Sequence, residues 1–203
     1  MAKHMKLWVV GALLLAVGGA VVASNMGFKF VPNVQLNKDT TISLPLNNNY
    51  ADANSVFTDI QGSGCTPVRV QRIVPSAGAK TKQTWSGSGT NFAIAKGEGY
   101  LVVTSNNCTT WVIVGSHDPA YVYNIQASKD TLVSIPYHTT ATSADDIYQS
   151  LLPEVVRVQR IVPSAGAKTK QTWSGSGTNF AVTIGESYLV VTNAAKTWTP
   201  AHY

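Results

Sequence analysis

A stretch of 26 residues occurs twice in this chain without a single change, at 68–93 and at 156–181, both times reading VRVQRIVPSAGAKTKQTWSGSGTNFA. The copies stand 88 residues apart. At such a period one supersecondary unit has been duplicated, so any fold must be built from a doubled unit. The match continues more loosely on both sides. Upstream, Asn33-Val34-Gln35-Leu36-Asn37-Lys38-Asp39-Thr40 answers to Asn124-Ile125-Gln126-Ala127-Ser128-Lys129-Asp130-Thr131, and Ser43-Leu44-Pro45 to Ser134-Ile135-Pro136. Downstream, Gly97-Glu98-Gly99-Tyr100 answers to Gly185-Glu186-Ser187-Tyr188, and Trp111 and Trp198 close the pattern. The repeats occupy 24–118 and 119–203.

Only 12% of the 203 residues are charged while 44% are hydrophobic. With many Val, Thr, Tyr and Trp, that balance favours strands. Lys3, His4 and Lys6 precede an apolar run, 7–23, that carries no charge and ends Val21-Val22-Ala23. This is the pattern of a secretory signal peptide over 1–23. An uncleaved anchor is the alternative, since the run approaches the shortest bilayer-spanning length. Either reading sends the bulk of the chain to the cell surface or beyond, with the membrane touched through this segment alone. The formal charge of +5 includes Lys3 and Lys6; beyond them thirteen basic residues stand against ten acidic ones, or +3. So mild a charge gives no reason to expect nucleic acid.

Export makes the cysteines interpretable. Cys65 and Cys108 both lie in the first repeat, and the aligned positions of the second are Pro153 and Lys196. Joint presence in one copy and joint absence from the other is the mark of a disulfide. A metal pair or a catalytic thiol is the competing reading.

Phe28, Phe30, Val34 and Leu36 alternate across Pro32, which predicts an opening strand, with 121–125 as its counterpart. Ile42, Leu44 and Leu46 alternate next, mirrored by Val133, Ile135 and Tyr137, which puts Pro45 and Pro136 on a polar face. Ala53, Val56, Phe57 and Ile60 then form a helical stripe, repeated by Ala144, Ile147, Tyr148 and Leu151. Ser143 with Asp146 is a capping arrangement. The identical core reads as two strands about a Pro-Ser-Ala-Gly turn, with a bulge expected where Ile73 and Val74 break the alternation. Strands at 100–104 and 111–114 complete the unit. The expected fold is mainly β, a sandwich or small sheet with one short helix per repeat, as two tandem homologous domains after a signal segment.

The order Thr40-Thr41-Ile42-Ser43-Leu44-Pro45, a short helix, a strand pair ending in Trp, then 97–102, resembles a β-rich module of exported and surface-layer-associated bacterial and archaeal proteins, typically written GWNLISLP…GxGYWV. Ser134-Ile135-Pro136 and 185–190 carry the second match. The leading Gly-Trp-Asn is missing, and Ser187 replaces a glycine. The resemblance implies a non-catalytic part of a surface protein.

Of four histidines, His4 is in the leader, and His117, His138 and His202 fall at the junction, in a loop and beside the C-terminus. No nucleophile elbow and no metal-ligand spacing joins them, so no catalytic, cofactor or metal residue is expected. Arg69, Lys80 and Lys82, with Gln71 and Thr84, share one predicted solvent face, and Arg157, Lys168 and Lys170 repeat it. Such a stripe suits acidic polysaccharide or an acidic neighbour, and equally serves to keep a sheet face soluble. Trp85, Trp111, Trp173 and Trp198 recur with the repeat and are expected in the core. The functional expectation is a secreted structural protein that polymerises into a filament, sheet or surface layer. In that scheme the strand at 28–36 of one copy fills a vacancy beside 198–203 of the next. A glycan- or polyanion-binding surface module is the alternative.

Overall fold

The computed structural model describes residues 27–202; the expected signal segment and the side chain of Phe28 lie outside the described residues. The first half runs β1 (Gly27–Phe30), β2 (Thr40–Ser43), α1 (Ala53–Gly62), β3 (Pro67–Ile73), β4 (Lys82–Trp85), β5 (Gly99–Thr104) and β6 (Ile113–Ser116). The second runs β7 (Tyr123–Ile125), β8 (Thr131–Ser134), α2 (Ala144–Ser150), β9 (Val155–Ile161), β10 (Lys170–Trp173), β11 (Ser187–Thr192) and β12 (Lys196–Trp198). Two antiparallel sheets result, ordered β2-β5-β3-β4 and β8-β11-β9-β10, each joined by a two-stranded ribbon, β1-β6 or β7-β12. The protein is mainly β.

The helices form where the apolar stripe places them. Ala53, Val56 and Ile60 are buried along α1, and Ala144 and Ile147 along α2. Asp52 with Ser55 and Ser143 with Asp146 close capping boxes at their N-termini, satisfying backbone donors that would otherwise be orphaned. Each helix covers one face of its sheet. The clusters beneath centre on Val70, Tyr100, Val102 and Trp111 in the first half and on Val158, Tyr188, Val190 and Trp198 in the second. Trp111 donates to Asp59 at 2.7 Å and Trp198 to Ser150 at 3.1 Å. Trp85 and Trp173 pack on the margins of the same clusters.

The opposite faces of the two sheets meet each other. Ile73, Ala79 and Leu101 interlock there with Leu132, Ile161, Ala167 and Leu189 in a third core that neither half could form alone. Each large aliphatic group taken from water contributes about 2 kcal/mol. Every residue of β5 and β11 is buried, because these strands carry a core on both faces. The contacts across the join are reciprocal, as at a two-fold axis. The Asp39 N–H donates to Ser164 O and the Asp130 N–H to Ser76 O, both at 3.0 Å. The Ser43 N–H donates to Gly185 O at 2.7 Å and the Ser134 N–H to Gly97 O at 2.8 Å. On the axis the hydroxyls of Ser43 and Ser134 bond each other. Phe30 fills the place a side chain on Gly185 would take, and Tyr121 does the same at Gly97.

Several expectations are corrected. The opening strand stops at Phe30: Pro32 breaks it, Val34 and Leu36 make only isolated bridges, to Cys108 and Thr104, and Leu36 is exposed. Pro45 and Pro136 are buried where a polar, water-facing side was expected, and Pro45 packs in the space a side chain on Gly115 would take. The bulge lies at the start of the core strand, where Val68 and Val156 are the extra, exposed residues; Ile73 stays in register with Lys82. β6 pairs with β1 and β12 with β7, so the strand following β6 in sequence is not its neighbour and β12 has its partner within the chain. β7 thus takes one edge of β12, and among the described residues no strand pairs with its other edge.

Cys65 and Cys108 form the disulfide, closing a separation of 43 residues. The second half ties the same two points electrostatically. Lys196, aligned with Cys108, donates to Leu152 O at 2.9 Å and pairs with Glu154.

Candidate anion-binding site

The third core opens at one end into a cleft of about 530 Å³. Its floor is Ile73, Ala79, Ile161 and Ala167, and its remaining walls are Gly78, Lys80 and Lys82 with their counterparts Gly166, Lys168 and Lys170. The predicted basic face thus lines a cleft rather than a flat sheet surface, with Lys80 and Lys168 exposed at it and Lys82 and Lys170 half-buried. It lies between the sheets, where the twofold relation brings four lysines of the identical segments to one place.

Local structure explains how each lysine gets there. After β3 the chain turns through a single 3-10 turn, Ala77–Ala79, and Gly78 and Ala79 both take positive φ, 78° and 52°. The left-handed step costs glycine little and folds the chain back. A Cβ on Gly78 would stand 3.3 Å from Cε of Lys80, so the bare glycine makes room for the lysine stem; Gly166 does the same for Lys168. The turn is held from across the axis. Asp130 of the other half accepts from the Gly78 N–H at 2.5 Å while its own N–H donates to Ser76 O.

Arg69 and Arg157, grouped with the lysines by sequence, serve a different purpose. Arg69 pairs with Asp39 at 3.2 Å and Arg157 with Asp130 at 3.3 Å, and both carboxylates are buried. These pairs neutralise the aspartates that anchor the opposing turns. Asp39 and Asp130 went unremarked as site residues in the sequence, although each sits in the repeated Lys-Asp-Thr; nothing local distinguishes an acid that will be buried against a second sheet.

Among the described residues none of the four lysines forms an ion pair. The Lys82 ammonium is held below its usual range, first by desolvation, with Asp39 opposing the shift and Arg69 and Lys170 adding to it. Lys82 and Lys170 therefore feel each other across the axis. Four lysines over an apolar floor, with the nearby aspartates Asp39 and Asp130 each paired to an arginine, make a place suited to an anion.

Comparison with protein-family models, curated proteins and solved structures gives no match for this chain. The site must be read from its own geometry.

The three histidines beyond the leader, separated in sequence, come together where the junction, the loop after β8 and the C-terminal tail meet. The His117 ring lies 4.7 Å from His202 and 5.5 Å from His138, edge to face. Burial lowers the His117 pKa, the neighbouring imidazoles lower it further, and Asp118 partly opposes them. Among the described residues no group of three or more His, Cys, Asp or Glu side chains is placed to hold a metal ion.

Proposed function

We propose that this chain is an exported, non-catalytic surface protein that binds acidic polysaccharide through the cleft between its two sheets. One observation carries the reading: Lys80, Lys82, Lys168 and Lys170 converge from two identical segments on one concave site, and among the described residues none of them forms an ion pair. Fixed positive charge above apolar side chains recognises carboxylate- or sulfate-bearing sugars by charge and by contact with their C–H faces. The apolar leader and the disulfide agree with an exported chain. The resemblance to surface-layer-associated modules points the same way.

The test is retention on immobilised polygalacturonate at low ionic strength, released by salt. Replacing all four lysines by glutamate should abolish retention. Undiminished binding by that variant would end the reading.

Self-assembly into a filament, sheet or surface layer is the second reading. Exposed Val114, on β6, and exposed Val122, beside β7, favour it, since both lie at the two-stranded ribbons. Donation of the N-terminal strand would require β1 to leave β6. Electron microscopy of the purified protein tests this reading: ordered polymers support it, and uniform monomers at high concentration exclude it.

A further inference from the structure

We propose that the cleft holds one compact segment of acidic oligosaccharide, two or three sugar units bearing two acid groups, laid across the pseudo-two-fold axis with one acid between each lysine pair. The inference rests on the polysaccharide reading and adds the size, valence and stoichiometry of what is bound.

Size follows from the cleft. Its volume of about 530 Å³ falls in the range of about 300–1,000 Å³ that encloses small ligands. It is a place for a short segment and not a track along which a chain lies. Valence follows from symmetry. The identical segments supply Lys80 and Lys82 from one side and Lys168 and Lys170 from the other, so a ligand with a single acid leaves one pair unmatched. The apolar strip between the pairs, Ile73 and Ile161 with Ala79 and Ala167, suits the C–H face of a sugar ring joining the two acids.

The site is prepared in advance of its ligand. Lys80 and Lys168 lie along glycines whose missing Cβ leaves them room. The turn carrying Lys80 is fastened by Asp130 and the turn carrying Lys168 by the Asp39 N–H. Ordering that is already complete need not be supplied on binding.

The experiment is titration calorimetry of the full chain with di- and trigalacturonate, with maltotriose as the neutral control and polygalacturonate as the parent polymer. The expected result is one trigalacturonate per chain, no heat from maltotriose, and affinity at least tenfold weaker in Lys82→Gln/Lys170→Gln. A second variant, Lys80→Gln/Lys168→Gln, alters exposed side chains and guards against misfolding of the first; it should weaken binding as well. Lys29→Gln, on β1, should leave the affinity unchanged. Binding of polygalacturonate without either oligomer overturns the compact site and leaves the polysaccharide reading standing. Oligomer binding that survives both double variants places the site elsewhere and overturns the inference. Silence from oligomers and polymer together removes both.

Discussion

Gly99 and Ser187 occupy equivalent positions in the two halves and face each other at the axis, where a Cβ on Gly99 would lie 2.3 Å from Cβ of Ser187. Two serines do not fit there and one does. The Ser187 hydroxyl donates to Ile42 O at 2.8 Å, in the other half. The replacement of glycine by serine in one repeat alone, which looks like drift in the sequence, is the asymmetry that a close approach of two like positions demands.

Gly99→Ser should therefore destabilise the protein by about 1–3 kcal/mol through overpacking. Ser187→Gly should cost about 1 kcal/mol for the lost hydrogen bond. The exchange of both residues should recover most of the Gly99→Ser loss. Urea midpoints of the four proteins decide it, and a Gly99→Ser variant as stable as the parent would refute the axial contact.

Asp130 holds both Arg157 and the Gly78 N–H while almost wholly buried. Asp130→Ala leaves a guanidinium and an amide without their acceptor and should cost about 3 kcal/mol. The same change releases the turn that carries Lys80, so polygalacturonate retention should fall even under conditions where the variant is folded by circular dichroism.

Removing the disulfide with Cys65→Ala/Cys108→Ala should lower stability by about 3–4 kcal/mol in the chain-entropy account. Because the halves share the third core, thermal unfolding should remain a single transition at a lower Tm. Two separated transitions would show that the halves unfold independently.

Acid should weaken the fold through His117. Its pKa is lowered in the folded state, so below the unfolded value of about 6.5 the unfolded chain takes up the proton first. Stability from this group is complete above that value and is lost as the pH falls through the window toward the lowered pKa. Tm should be lower at pH 5 than at pH 7.5, and His117→Gln should flatten that difference. An unchanged slope in the variant would assign the acid sensitivity to other groups.

Much of the local structure was legible in the residues. The stripe of Ala53, Val56 and Ile60 gave α1, Ser143 with Asp146 gave the cap of α2, and the joint loss of two cysteines from one repeat gave the disulfide. The site was half legible: the four lysines were singled out, and their convergence was not. Nor were Asp39 and Asp130, whose burial depends on a second sheet.

What the chain determined by itself is the doubled unit and the faces of its strands, because the alternation of side chains along a strand fixes which residues share a face. What covers a face is decided elsewhere. Thr41, Ser43 and Gln71 read as water-facing, and all three are buried. The Ser43 hydroxyl finds its partner in Ser134 across the join, and Gln71 Nε2 donates to Thr84 Oγ1 along the sheet. A polar face covered by its own copy is indistinguishable in sequence from one covered by water, because the same small and polar residues occupy both. Only the packing of one sheet on the other turned that face into a core and drew four lysines to one cleft.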